Sequence, residues 1–431
     1  MKIALISPKG SFLSRDPKFR KFWENTYEST GYRFFWSGFG LGLLTIAALL
    51  PKKNVKAKLI DENFEEIDFD AGYDMVAITA ITQQATRAYE IAEAFKLRGA
   101  KVILGGIHPT LMPHEAKKHS DSVVIGEGEN SWPRLVKDFL QNNLQPFYEN
   151  KNIVDITKSP NPRFDLLNPK FYKMGWIQTT RGCPVDCEFC AASKIFGSKF
   201  RHKKIRQVVN EIKSLTDLLK GIHVNFSDDN MFVDKIYSVD IVNALIPLNI
   251  RWTAQTDISI ANHDKLLKNM KKSGCEILFI GFESLSKANL DSVDRYKYKS
   301  RNLDRYSWAI RKIQSYGIGV MGAFIVGFDN DKPNIFKQTT DFIIENNLFG
   351  AQITVLTPLP GTRLQMRMEK EERITSYDWS RYTGWDVNFI PKKMSAKTLQ
   401  NGLLNAYKRI YSPVIRLQKA KHFKKIFSKK I

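Results

Sequence analysis

The sequence is poor in cysteine and has no long uninterrupted apolar stretch. Four cysteines in 431 residues are too few for the disulfide framework of a small secreted domain. The longest apolar run, residues 34–51, is interrupted by three glycines and is about as short as a membrane-spanning helix can be. We interpret its second half as a buried helix, with a transmembrane helix as the weaker alternative. The start, MKIALISP, predicts a β-strand and not a secretory signal.

Acidic residues are also scarce, above all near the C-terminus. The formal net charge is +22, and from Lys392 onward there are twelve Lys and Arg but no Asp or Glu. A solvated basic helix explains this tail, while its interleaved apolar residues make contact with an anionic membrane an alternative. A basic nucleic-acid-binding protein is a competing class, but it leaves the clustered cysteines without a role. We expect a cytoplasmic protein without a nucleic-acid partner, with peripheral attachment to the inner membrane face as the alternative.

The first third of the chain alternates short β-branched runs with helical stretches. Five strand candidates predict an α/β, flavodoxin-like doubly wound domain over residues 1–140. Ligands of such sheets bind beyond the carboxyl ends of the strands. Tight turns are the structural alternative for the residues there, including the histidine before Pro109. The candidate ligand-binding residues at these ends are Thr79, Thr82, Gly105, Gly106, His108, Gly126, Glu127, Gly128 and Glu129.

The rest of the chain divides into three parts. Residues 141–170 have the Asn- and Pro-rich composition of a linker. Six strand candidates with intervening helical stretches then predict a partial (β/α)6 barrel over residues 171–360, with its site at the carboxyl ends of the strands. Residues 361–431 are predicted to form a smaller, basic and mostly helical extension.

Three of the four cysteines lie together in the run TTRGCPVDCEFCAAS, as Cys183, Cys187 and Cys190. A Cys-x3-Cys-x2-Cys loop offers three thiolates to one iron–sulfur cluster and leaves one iron open, whereas electron-transfer clusters usually have four cysteine ligands. Zinc is the alternative, but it prefers four ligands, and the nearest candidate, His202, lies well past the loop.

The run RGCPVDCEFC resembles the signature of the radical S-adenosylmethionine (SAM) superfamily. The resemblance implies that the three cysteines hold a 4Fe–4S cluster, that the open iron binds SAM, and that Phe189 packs near the adenine. The runs GGIHPT and GEGE resemble the cobalamin-binding domain of one subgroup. The tail from DVNFIPKK onward resembles the extension of the hopanoid C-2 methylase and its relatives.

The resemblance also supplies cofactor contacts. The runs SDDNMF, GFES and GAFIVGFD are similar to SAM-contacting strand ends of this subgroup. The Asp-x-His-x-x-Gly motif whose histidine ligates cobalt is absent, so cobalamin binds without a protein histidine or the domain has lost it. Structural caps or salt bridges are the alternative for the acidic candidates. Besides Phe189, the candidate SAM-binding residues are Asp228, Asp229, Asn230, Gln255, Glu283 and Ser284.

The function implied by the resemblance is a cobalamin-dependent radical SAM methyltransferase. Its expected substrate is an unactivated carbon of a lipid-like, tetrapyrrole or other secondary metabolite, and its expected electron donor is a flavodoxin- or ferredoxin-type reductant. A radical SAM enzyme for cyclisation, coupling or oxidation is the alternative, because it needs the same cluster. A methylthiotransferase is disfavoured, since no cysteine precedes Cys183 for a second cluster and Cys275 suits a buried hydrophobic position. No catalytic residue is assigned, because the cofactors carry the chemistry.

Overall fold

The N-terminal domain is built on a parallel six-stranded sheet. The computed structural model describes residues 1–10, 14–26, 40–150 and 152–428. The strand order is β2-β1-β3-β4-β5-β6, and every pair is parallel. The strands are β1 (Lys2–Ser7), β2 (Lys56–Asp61), β3 (Met75–Thr79), β4 (Lys101–Gly105), β5 (Ser122–Ile125) and β6 (Phe147–Glu149). This order is the predicted flavodoxin-like one with a strand added at the edge.

The sixth strand comes from the segment predicted as linker. Phe147–Glu149 pairs with β5, and the fully buried Tyr148 anchors it through a 2.8 Å hydrogen bond to Asp138. Five strands were expected, because the three extended residues of β6 lie in an Asn- and Pro-rich segment whose composition predicts a loop. Such a short edge strand leaves little periodicity in the sequence.

Helices connect the strands and cover both faces of this sheet. They are α1 (Pro17–Glu24), α2 (Leu41–Ala47), α3 (Ala85–Lys96), α4 (Ile107–Leu111), α5 (Pro113–His119) and α6 (Gly128–Leu140). The second half of the long apolar run forms α2, whose Leu43, Leu44 and Ala47 are buried as expected. Residues 34–39 of that run lie outside the described residues. Within the described ranges, no helix is long and apolar enough to cross a membrane.

The central domain is the predicted partial barrel. Its six parallel strands run in the order β14-β13-β12-β11-β10-β7, so β7 and β14 are the two edges. They are β7 (Met174–Ile177), β10 (His223–Phe226), β11 (Arg251–Thr256), β12 (Cys275–Glu283), β13 (Gly319–Val326) and β14 (Gly350–Val355). A small antiparallel pair, β8 (Thr180–Arg181) and β9 (Arg201–His202), brackets the cysteine loop. Cys275 is buried at the start of β12, as expected.

Helices pack outside the barrel strands and continue into the C-terminal extension. Those of the barrel are α7 (Ala192–Phe196), α8 (Ile205–Leu218), α9 (Lys235–Leu245), α10 (Asp264–Lys272), α11 (Lys287–Val293), α12 (Tyr298–Arg301), α13 (Tyr306–Ser315) and α14 (Ile335–Glu345). The extension contains α15 (Arg363–Lys370), α16 (Ala396–Ile410) and α17 (Pro413–Phe427).

The extension is integrated into the body of the protein. Tyr407 of α16 packs edge-to-face against Phe19 of α1, with ring centroids 5.5 Å apart. Its hydroxyl donates to Ile353 O at 2.9 Å and accepts from Ile353 N at 3.0 Å and from Trp385 Nε1 at 3.1 Å. One continuous apolar core therefore runs from the N-terminal sheet through the barrel to α16.

Tyr407→Phe should lower the free energy of unfolding by about 1–3 kcal/mol, because it leaves buried backbone groups of β14 without a partner. Urea denaturation followed by circular dichroism measures the change. Tyr377→Phe is the matched control, since Tyr377 is 54% exposed and bonds only Glu369 among the described residues. Equal stability of the two variants would contradict this account of the contact between the extension and the barrel.

Candidate active site

A single cavity joins the N-terminal sheet to the interior of the barrel. Its volume is about 810 Å3. On one side it is lined by residues at the carboxyl ends of β3, β4 and β5 and just after them. On the other side it is lined by inward-facing residues of all six barrel strands, from Trp176 on β7 to Gln352 and Thr354 on β14. Because ligands of parallel α/β sheets bind at the carboxyl ends of the strands, two expected ligand sites share one space.

Most of the candidate residues at the N-terminal sheet edge line this cavity. Gly106 has φ +92°, and a Cβ there would lie 2.4 Å from Thr79 Oγ1, so only glycine fits. The exposed backbone at this edge suits close approach of a large cofactor. The lining members are Thr79, Gly105, Gly106, Gly126, Glu127, Gly128 and Glu129.

Thr82 and His108 are not among the residues that line the cavity. His108 is fully buried behind the sheet edge, with Nε2 3.0 Å from the Tyr89 hydroxyl and 3.5 Å from Glu115. Its ring packs edge-to-face on Trp379 at 5.1 Å. This histidine therefore joins the N-terminal domain to the C-terminal extension.

The two glutamates of the GEGE run form buried ion pairs with the barrel. Arg181 of β8 contacts Glu127 at 2.6 Å and Glu129 at 2.7 Å, and each of the three side chains is at most 10% exposed. Arg201 of β9 contacts Glu127 at 2.9 Å. Burial alone would raise the pKa of Glu129, but Arg181 outweighs it and holds this pKa below its usual range. Both glutamates thus link the two domains through ion pairs with Arg181.

The cysteine loop begins immediately after Arg181. Gly182 has φ +88°, and a Cβ would lie 2.3 Å from the carbonyl oxygen of Lys199, so the entry to the loop requires glycine. Cys183, Cys187 and Cys190 are all half-buried and free. A backbone bridge joins Cys187 to Asp294 next to α11, which fixes the outer side of the loop.

The donor set of this loop fits an iron–sulfur cluster. Burial raises the pKa of all three thiols, that of Cys190 to about 12, so a metal charge is needed to hold them as thiolates. The fourth cysteine, Cys275, is buried in β12 and is not part of the loop. A 4Fe–4S cluster needs one thiolate on each of three separate irons when the fourth iron stays open, and this loop offers that number.

Asp228 supports the start of the loop. It is fully buried, and its Oδ1 accepts from Thr179 N at 3.0 Å, from Thr180 Oγ1 at 2.6 Å, and also from Thr179 Oγ1 and Thr180 N. Burial raises its pKa against the effect of these bonds. The neighbouring Asp229 has an exposed side chain, but the protein around it removes part of its hydration. This desolvation, followed by the negative charge of Asp228, raises the pKa of Asp229 to about 6.

The next candidate, Asn230, belongs to a buried polar network. Its Nδ2 donates to Asp257 at 2.7 Å, and the hydroxyl of Tyr298 donates to the same carboxylate at 2.8 Å. Neither Asn230 nor the two aspartates before it line the cavity. The structure gives Asp228 and Asn230 supporting roles at the carboxyl end of β10.

The remaining SAM candidates are divided between the cavity and the turns around it. Gln255 and Glu283 line the cavity. Ser284 is buried in the turn before α11, where its Oγ accepts from Ser286 N at 3.1 Å. Phe189 packs against Phe328, with ring centroids 6.4 Å apart.

Glu283 has a partner that the sequence patterns did not reveal. Lys299 Nζ lies 2.9 Å from Glu283 Oε1 and 2.7 Å from the carbonyl oxygen of Gly281, and the lysine is 9% exposed. Burial lowers the pKa of Lys299, but Glu283 and then Cys187 outweigh it and keep the amine protonated. Glu283 has φ +64°, a left-handed conformation that costs about 1 kcal/mol or more outside glycine. A charged, strained pair therefore lies beside the cysteine loop.

Two further groups escaped the sequence analysis. Arg181 directly precedes the motif glycine, and that position was the available signal. Arg363 and Arg367 of α15 contact the loop from the C-terminal extension, and no local pattern marks them.

Arg181→Ala should lower the free energy of unfolding by about 3–5 kcal/mol, because it leaves buried carboxylates without their main counter-charge. Denaturant unfolding measures the loss, and limited proteolysis between residues 150 and 180 should show whether the domains separate. Arg163→Ala is the control, since Arg163 and Asp165 form an exposed pair worth about 0–1 kcal/mol. A loss no larger than the control would contradict the structural role of Arg181.

Family models match three segments of the chain. Residues 177–343 match the radical SAM superfamily, and residues 37–136 match the B12 binding domain. Residues 362–430 match DUF4070, a domain of unknown function. The first two segments contribute most of the residues on the two sides of the cavity.

Individual proteins give the same picture. The bacteriochlorophyllide d C-12(1)-methyltransferase of Chlorobaculum tepidum is 32% identical over 378 residues, covering 85% of this chain and 82% of that protein. The hopanoid C-2 methylase of Rhodopseudomonas palustris is 26% identical, covering 78% of this chain and 65% of that protein. The solved structure of the cobalamin-dependent radical enzyme OxsB, with aqua-cobalamin and SAM bound, has a TM-score of 0.69 at 16% identity and covers 99% of this chain and 70% of that one.

These matches confirm the predicted fold and the predicted cofactors, a 4Fe–4S cluster, SAM and cobalamin. They also confirm the resemblance of the chain to the hopanoid methylase and its relatives. The chain is an enzyme of the radical SAM superfamily, in the group that joins a B12-binding domain to the radical SAM barrel.

Proposed function

We propose that this enzyme is a cobalamin-dependent methyltransferase that methylates an unactivated carbon of a tetrapyrrole. One observation carries the proposal: the B12-binding sheet edge and the inside of the radical SAM barrel open into the same cavity of about 810 Å3. A substrate held there lies between the two cofactor-binding domains. The named activity of the C. tepidum relative supports methyl transfer to a tetrapyrrole.

The lining of the cavity favours a large, mostly apolar substrate. The charged residues among the described lining are Glu127, Glu129, Arg181 and Glu283, and each is paired with another protein group. The barrel side otherwise offers neutral polar groups between apolar ones. Such a surface binds an extended ring system with a few hydrogen-bonding substituents. The neutral polar groups are Gln178, Asn225, Ser227, Thr253, Gln255, Gln352 and Thr354.

Different residues of the chain would bind the different cofactors. Cys183, Cys187 and Cys190 would hold the cluster, while Gln255 and Glu283 would contact SAM. The glycines from Gly105 to Gly128 would let cobalamin approach the backbone, and no histidine is among the described residues of the lining. When bound, the cluster with SAM supplies a carbon radical and cobalamin supplies the methyl group. The protein orients the substrate and excludes water.

The anaerobically reconstituted enzyme, incubated with SAM carrying a deuterated methyl group and with bacteriochlorophyllide d, should form a product heavier by one labelled methyl. Mass spectrometry should find 5′-deoxyadenosine and S-adenosylhomocysteine in step with that product. The electron donor in the assay is reduced flavodoxin, with a chemical reductant in parallel. The control is Cys187→Ala, which should retain cobalamin and lose both SAM-derived products.

Two other outcomes of this assay would contradict parts of the proposal. Deoxyadenosine without label transfer would contradict methylation and favour the alternative, a radical cyclisation, coupling or oxidation. Label transfer to a hopanoid but not to the tetrapyrrole would contradict the proposed substrate class. It would still support the assignment as a methyltransferase.

We also propose a peripheral contact between helix α17 and an anionic membrane. Val414 and Leu417 of α17 are 73% and 65% exposed among basic side chains, while Phe423 and Ile426 of the same helix are buried. In co-sedimentation, Val414→Glu/Leu417→Glu should bind vesicles of anionic lipid several-fold more weakly than the parent, because the substitutions add negative charge to the contact. Ile236→Glu is the control at an exposed position on another helix, α9. Equal binding by all three proteins would contradict the contact.

A further inference from the structure

The first helix of the C-terminal extension contacts the cysteine loop directly. Helix α15 lies in the segment that matches a domain of unknown function. Two of its arginines, Arg363 and Arg367, are spaced i, i+4 and so lie on the same face. Both reach acidic residues of the loop, Asp186 and Glu188, which flank Cys187.

Arg363 binds Asp186 at two points. Its Nη1 lies 2.6 Å from Asp186 Oδ2, and its Nη2 donates to the backbone carbonyl of the same residue at 2.7 Å. Asp186 has φ +50°, in the left-handed region, and its Oδ1 accepts from Ser193 Oγ at 3.1 Å. A residue in this conformation persists only where its surroundings hold it. The guanidinium therefore fixes the backbone turn that leads into Cys187.

Arg367 and the start of α15 hold the other side of Cys187. Arg367 lies 3.2 Å from Glu188, and the amide of Leu364 donates to the Glu188 carbonyl at 3.0 Å. The amide of Glu188 donates in turn to Val293 O at 2.8 Å. Both backbone groups of this residue, between the second and third cysteines, are thus committed to neighbours.

One of the arginines that contact the cysteine loop is also linked to the barrel. Arg367 also contacts Asp329, just beyond β13, at 2.6 Å. Arg373 contacts the same carboxylate at 2.9 Å, and Lys392 contacts it at 3.2 Å. Three basic residues of the extension therefore converge on Asp329. Arg367 thus joins the loop to the barrel, while Arg373 and Lys392 hold the extension to the barrel without contacting the loop.

We propose that the C-terminal extension has a defined role: Arg363 and Arg367 of α15 are positioning residues that hold the cysteine loop in the shape that binds the iron–sulfur cluster. Neither arginine is among the residues that line the cavity. They act through Asp186 and Glu188, as outer groups orient the direct ligands of a metal site.

The test compares Arg363→Ala/Arg367→Ala with Arg409→Ala in the full-length, reconstituted protein. Arg409 is also in the extension and contacts Thr340 and Asp341 of α14, but it does not contact the cysteine loop. Iron release to a ferrous chelator should be about tenfold or more faster in the double variant than in the parent or Arg409→Ala. The electron paramagnetic resonance spectrum of the reduced cluster should respond less to SAM.

Arg363→Lys addresses the chance that the double variant does not fold. Lysine keeps the charge but cannot bind the side chain and the carbonyl of Asp186 as a fork. It should therefore release iron at an intermediate rate in a protein whose circular dichroism matches the parent. Parent-like iron release and an unchanged response to SAM in both variants would overturn the proposal, and so would equally fast release from Arg409→Ala. No substrate or cobalamin enters this assay, so its outcome is independent of the proposed methyl transfer.

Discussion

The architecture depends on Arg181, which lies between Glu127 and Glu129. These three buried charges tie the carboxyl edge of the N-terminal sheet to the residue that directly precedes the cysteine loop. A buried charge without a partner destabilises the folded protein. The folded arrangement of the two domains is therefore most stable when Arg181 contacts both glutamates. Because Arg181 directly precedes Gly182 and Cys183, the same contact also fixes where the cysteine loop starts. One interaction thus couples the position of the B12-binding edge to that of the cluster.

The protein contributes position and enclosure, and the cofactors contribute reactivity. This division explains why polar residues near the site are so often occupied with one another. Asp228 holds the backbone before the loop, Asn230 holds Asp257, and Glu283 holds Lys299. Apart from the ion-paired residues, the polar groups that line the cavity are mainly uncharged amides and hydroxyls. Relatives are named for activity on a bacteriochlorophyllide and on a hopanoid, so proteins similar to this chain differ in their named substrates.

Local patterns in the sequence were sufficient for the fold and the cofactors, whereas the assignment of the three cysteines as cluster ligands stays a prediction. Three cysteines within eight residues, and glycines after successive strands, are short-range signals that need no knowledge of tertiary contacts. The role of the GEGE glutamates was not predictable in this way, because the partner of Glu127 lies 54 residues further along the chain. Asp186 and Arg363 are separated by 177 residues. His108 shows a second limit of local patterns. Its motif placed the residue at the sheet edge, but its side chain is buried against Tyr89 and Trp379. Side-chain direction at a strand end depends on packing that the motif does not encode.

The central claim is that one cavity brings both cofactors to the same substrate. Pulsed electron paramagnetic resonance on the enzyme loaded with a reduced 4Fe–4S cluster and cob(II)alamin tests it most directly. The account predicts a magnetic dipolar coupling between the two centres that weakens or broadens in Arg181→Ala, where the domains are no longer held together. Two fully loaded but uncoupled signals in the parent enzyme would contradict a shared cavity.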